Sequence, residues 1–75
     1  MKTKVYHDTE YTSNRRLMLE QFTPGHTVCG ICHRVIASVA VMSIDHVIAV
    51  RRGGSHSRGN LQYAHRSCNS SKQSG

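Results

Sequence analysis

Two constellations in this sequence could do chemistry. The first pairs Cys29 and Cys32, in CGIC, with His65 and Cys68, in HRSC. A C-x-x-C turn offers two thiolates, and an i, i+3 pair on a helix turns both side chains to one face. Gly30 supplies the freedom a tight turn around a metal needs. Together the four residues make a Cys3His donor set, which suits tetrahedral zinc. All three cysteines of the chain fall within these two pairs. The fourth place is open to competition, because His26, His33 and His56 are rivals of His65. Of these, His33 adjoins Cys32 and is poorly placed to share its ion. A redox pair or three unrelated buried thiols are the alternatives to zinc.

The second constellation lies in SIDHVIAVRRGG. Asp45 is the only acidic residue from position 21 to the C-terminus, and Arg51, Arg52, Arg58, Arg66 and Lys72 follow it. Phosphates repel a carboxylate on such a surface unless a divalent cation lies between them. Mg2+ takes one or two protein oxygens and completes its shell with phosphate oxygens and water, so Asp45 fits as its ligand. His46, neutral near pH 7, can take a proton from water attacking phosphorus. Neighbours on a regular strand face opposite ways. The pair can therefore meet one phosphate only where the strand bends, bulges or ends. Alone, the two residues read better as a surface acid beside an ordinary histidine than as a catalytic pair.

The elements that must position these residues follow from pattern. A helix is expected from Ser13, as N-cap, to Phe22, with Met18 and Phe22 sharing a face and Leu17, Leu19 and Phe22 as plain core. Pro24-Gly25 ends it. Residues 1–12 read as a flexible polar lead-in and 13–75 as a single zinc-bound domain. The β-branched run from Val35 to Val50 reads as extended chain, divided into two strands near Ala37-Ser38 or Ser43. RRGGSHSRGN has the composition of a loop, with Gly53-Gly54 allowing a tight turn. LQYAHRSCNSSK reads as a helix of about three turns with Asn60 near its start and Gly75 beyond its end. The result is a small α+β unit.

At 75 residues the chain buries too little apolar surface to offset its chain entropy comfortably, and domains of this size usually need a staple. A net charge of +6 favours a polyanionic partner. The N-terminus lacks the apolar stretch of a secretory signal, and no run is long enough to span a bilayer. The chain is therefore expected to be soluble and cytoplasmic, with no membrane association.

The ordered set of motifs resembles the HNH endonuclease family, whose nucleases use a ββα-metal fold. The resemblance runs over residues 29–72, where C-x-x-C precedes D-H-V, a GG loop, N-L-Q and C-N-x-x-K. It implies a zinc-stapled ββα-metal domain, to which the reading of residues 13–22 adds a short N-terminal helix. It further implies a DNA endonuclease of low sequence specificity, leaving 5′-phosphate and 3′-hydroxyl ends. Position by position, Asp45 resembles the metal-binding acid and His46 the general base. Asn60 resembles the central asparagine that steadies base and loop, and Asn69 the second metal ligand. Mg2+ is the implied ion, with Mn2+ or Ni2+ as substitutes in vitro. Arg51, Arg52, Arg58 and Lys72 are the candidates for DNA phosphate contact. Small free-standing members are often phage-encoded, which would place the chain in the host cytoplasm. A homodimer or a phage packaging protein would then be its protein partner. Two positions depart from the pattern, His65 where a cysteine is usual and Ala49 where proline is frequent. Asn60 also suits a helix N-cap, and Asn69 pays a propensity cost inside a helix. The rival from another class is a non-enzymatic zinc module that binds nucleic acid through its basic face; a third possibility is an RNA target, or a nuclease active only with a partner chain.

Overall fold

A computed structural model describes residues 8–74. The element order is α1 (Asp8–Gln21), β1 (Met42–His46), β2 (Leu61–His65) and α2 (Arg66–Ser74), with short 3-10 turns at Val39–Val41, Val50–Arg52 and Arg58–Asn60. The small α+β architecture is as expected, and its last three elements run strand, strand, helix. Residues 1–7 of the expected lead-in and Gly75 lie outside the described residues.

Three boundaries differ from the sequence expectation. Helix α1 begins at Asp8 rather than after Ser13, and ends at Gln21. Glu10 falls in its first turn, a placement the helix dipole favours. A turn then reverses the chain, with the Thr27 N–H donating to Thr23 O at 2.9 Å and the Thr23 N–H returning to Thr27 Oγ1 at 2.9 Å. Gly25 takes the left-handed conformation that this reversal requires (φ 78°). Second, the Val35–Val50 run yields one strand, β1. Its other extended contact is an isolated bridge between Val28 and Val35 that closes the cysteine knuckle. Third, Leu61–His65 is a strand and not the first turns of a helix.

β1 and β2 pair antiparallel, Met42 opposite His65 through His46 opposite Leu61. Alternation then assigns the two faces. α2 covers the Ser43 and Asp45 side, since Asn69 Nδ2 donates to Ser43 Oγ and Lys72 reaches Asp45. α1 covers the other side. There the Tyr63 hydroxyl donates to Met18 O at 2.6 Å, and Phe22 packs against the Tyr63 ring at 6.0 Å between centroids.

The core is small. Met18, Cys29, Ile36, Met42, Leu61 and Ala64 are its buried apolar residues. Leu19 and Phe22 pack against it as expected, but Leu17 is 49% exposed and is no core residue. Its position on the helix explains this, because the inward stripe runs Tyr11, Asn14, Met18 and Phe22. Cys29 sits at the centre of that core, so the candidate metal ligand is also a packing residue.

Candidate metal centre and active-site cleft

Cys29, Cys32, His65 and Cys68 each offer a ligand atom, and the four atoms lie within 4.8 Å of one another. His65 Nδ1 is 3.3 Å from Cys32 Sγ and 3.9 Å from Cys68 Sγ. The expected quartet is therefore gathered and could bind zinc. The reason is not the one the spacing suggested. His65 is the last residue of β2 and Cys68 lies in the first turn of α2, so the strand-to-helix junction aims them together. Gly30 has no left-handed backbone either. His33 holds that conformation (φ 65°) and returns its N–H to Cys29 O at 3.0 Å. What Gly30 provides is closeness, since a Cβ there would collide with the Gln62 side chain.

The thiols behave as a set. Burial pushes the Cys29 thiol up, but the backbone N–H groups of Cys32, His65 and Ile31, each 3.4 Å from Sγ, outweigh it and bring its pKa to about 6. Cys68 goes the other way, to about 11, through burial and the neighbouring sulfurs of Cys32 and Cys29. Sulfurs packed this closely cannot all ionise without a cation among them. That requirement suits a dication bound by thiolates.

At the other end of the hairpin a cleft of about 890 Å³ opens where β1 ends. Asp45, His46, Arg51, Arg52 and Lys72 line it, together with the apolar run Val47 to Val50. Asp45 is 5% exposed, and its Oδ2 takes two donors. Gln62, its cross-strand partner, donates Nε2 to Asp45 Oδ2 at 2.8 Å, and Lys72 Nζ reaches the same oxygen at 2.7 Å. Lys72 Nζ also donates to His46 O at 2.6 Å and Val47 O at 3.2 Å. An ammonium has three N–H donors, and all three are directed at these oxygens. Lys72, expected against DNA phosphate, is thus folded back onto the acid.

His46 turns to the α1 side. Its Nε2 lies 3.0 Å from His56 Nδ1, and its ring stacks on Tyr11 at 5.4 Å and 18°. Burial first, then the neighbouring His56, hold its pKa below the ordinary imidazole value against the pull of Asp45. The neutral ring is favoured, which is the form that can accept a proton. Asp45 and His46 point to opposite faces, as strand alternation requires. They border one cleft only because β1 stops at His46.

Asn60 is not a helix cap. It closes the 3-10 turn before β2 and clamps the loop from both sides. Its Oδ1 accepts the Ile48 N–H at 2.9 Å, while Nδ2 donates to Ile48 O at 3.0 Å and Ser55 O at 2.7 Å. Gly54 lies against this clamp, and a Cβ there would collide with Ile48 O. Gly53 supplies the left-handed turn after Arg52 (φ 91°).

The cleft thus gathers Asp45, His46, Arg51, Arg52 and Lys72. Asn69 is not among its lining residues and directs its amide to Ser43, one same-face step along β1 from Asp45. Arg58 is exposed and also outside the lining set. Sequence reasoning missed Tyr11, Gln62 and His56. Tyr11 lies within the expected lead-in, and His56 stands in the sequence only as a rival zinc ligand. Gln62 was visible only as part of N-L-Q; pairing with Asp45 across two strands left no local signal.

The family profile described as HNH endonuclease matches residues 27–75, more than half of the chain. The chain belongs to the HNH endonuclease family, which implies nuclease activity in general and DNA as the substrate class. No curated protein matches it. Among the described residues, no helix is long and apolar enough to cross a membrane.

Proposed function

We propose that the chain is a divalent-metal-dependent endonuclease that hydrolyses phosphodiester bonds in DNA, on a scaffold pinned by structural zinc at Cys29, Cys32, His65 and Cys68. The observation that carries the reading is the single cleft shared by Asp45, His46, Arg51 and Arg52. Arg51 and Arg52 draw the DNA backbone into the cleft, with Arg58 extending the basic surface along the loop. His46 accepts the proton of the attacking water. Asn60 holds the backbone that follows His46 at a fixed distance from the loop.

Asp45 would hold the divalent ion, with Asn69 as second ligand once its amide turns from Ser43. The donor chemistry fits, because the Asp45 carboxylate and the His46 and Val47 carbonyls already converge on a cation, the Lys72 ammonium. Oxygen donors of this kind suit Mg2+ or Mn2+. Such an ion supplies charge stabilisation at the scissile phosphate and the leaving oxygen. Lys72 then becomes available to a phosphate oxygen. One cleft cuts one strand, so a single copy nicks, and double-strand cleavage needs a second copy or a second event. So little of the chain remains for base reading that cleavage is of low sequence specificity.

A specific observation favours a second reading, a zinc-stabilised module that binds nucleic acid without cutting it. The Lys72 ion pair neutralises Asp45, so the acid does not by itself oppose phosphate binding. Supercoiled plasmid with Mg2+ or Mn2+ separates the two. The nuclease reading predicts ion-dependent nicking that Asp45→Asn abolishes while DNA affinity persists. Intact plasmid under both ions, with affinity retained, would favour the binding module.

A further inference from the structure

We propose that His56 is a positioning residue that fixes the working tautomer of His46. This rests on the nuclease reading above, in which His46 is the base. His46 Nε2 and His56 Nδ1 are 3.0 Å apart, and the rings meet edge to face at 68°. One proton lies between two ring nitrogens, so one donates and the other accepts. If His56 donated, it would occupy the Nε2 lone pair, and neutral His46 would carry its own hydrogen on Nδ1. No lone pair would remain to receive a proton from water. In the reverse arrangement His46 donates from Nε2 to the lone pair of His56 Nδ1, and His46 Nδ1 is left as a free acceptor. Of the two neutral tautomers, only this one is a base while the pair stays intact.

The surroundings of His56 hold it to that task. Asn14 Nδ2, on α1, donates to His56 O at 2.9 Å. Asn60 grips the preceding carbonyl, that of Ser55, at 2.7 Å, and the Ser55 and Ser57 hydroxyls bond each other at 2.8 Å around it. The Tyr11 ring packs on both imidazoles, with its centroid 5.4 Å from each. A loop histidine is thus pinned from α1 and from the Asn60 clamp, with its acceptor nitrogen facing the base. His56 acts through His46.

Two variants separate hydrogen bonding from packing. His56→Asn can place its amide oxygen near the Nδ1 position, whereas His56→Leu fills similar space with no acceptor. The first readout is the ring 15N shifts of His46 in the zinc-loaded full chain, taken without DNA or Mg2+. Wild type and His56→Asn should show hydrogen on Nε2, and His56→Leu a mixture of tautomers. The second is single-turnover plasmid nicking with DNA affinity measured alongside. His56→Leu should lower the rate by about 10- to 100-fold at unchanged affinity, as loss of an orienting partner does, and His56→Asn should restore most of it. Equal loss in both variants would overturn the proposal. An Nδ1–H tautomer in wild type, with nicking that still depends on His46, overturns it alone. Nicking indifferent to His46→Ala overturns the reading beneath it.

Discussion

Asp45 and Lys72 set the electrostatics of the cleft. The carboxylate is taken out of water and offset by one ammonium and one amide on the same oxygen. Burying a charge is tolerable only with such partners. Lys72→Met leaves Asp45 with the Gln62 amide alone. The expected loss is about 1–3 kcal/mol, below the 3–5 typical of a fully buried pair because Lys72 is partly exposed. Thermal melting with and without Mn2+ checks both the pair and the ion assigned to it. The ion should raise the midpoint more in Lys72→Met than in wild type, since it replaces the missing cation. Equal increments would mean that the ion does not use Asp45.

At the scale of elements, the loop between the strands follows directly on His46, the proposed base, and its shape depends on glycine. Gly54→Ala would force a methyl group into the Ile48 carbonyl and onto the Asn60 amide. We expect a lower melting temperature and a lower nicking rate. Gly59→Ala, where a Cβ meets nothing, should leave both near wild type. Equal behaviour of the two variants would contradict the clamp. This region also shows what was legible beforehand. Gly53-Gly54 and Asn60 announced a tight loop by composition. Strand β2 did not announce itself, because Leu, Gln, Ala and Arg in LQYAHR all favour helix. Pairing with β1, set by the tertiary fold, overrode that preference. The start of α1 was hidden by Thr12, Ser13 and Asn14, which resemble a cap. Tyr11 joins the stripe of Asn14, Met18 and Phe22 only once the helix starts at Asp8. The His46–His56 contact had no sequence signature, since it depends on how a long loop folds back.

At the scale of the molecule, the six buried apolar residues among those described make a core too small to hold a fold of this size unaided. Cys29 lies within it, so the zinc binding proposed above would be one event with packing. Chelation of zinc, or Cys29→Ser, should abolish cooperative melting and most of the helical circular dichroism. A chelated chain that still melts cooperatively would remove zinc from the account. The ligand quartet could be read from spacing even though the supporting element was misread, because both a helix and a strand-helix junction can bring i, i+3 side chains together. The basic surface acts at long range. Arg51→Ala and Arg52→Ala should each flatten the salt dependence of DNA binding by about one unit, and an unchanged slope would place them outside the footprint. The most direct measurement is the single-turnover rate of plasmid nicking by His46→Ala against wild type, both zinc-loaded and saturated with DNA and Mg2+. A fall of about 10²- to 10⁴-fold, the range for loss of a general base, at unchanged DNA affinity is the predicted result. Equal rates would contradict the assignment of His46 and the cleft built around it.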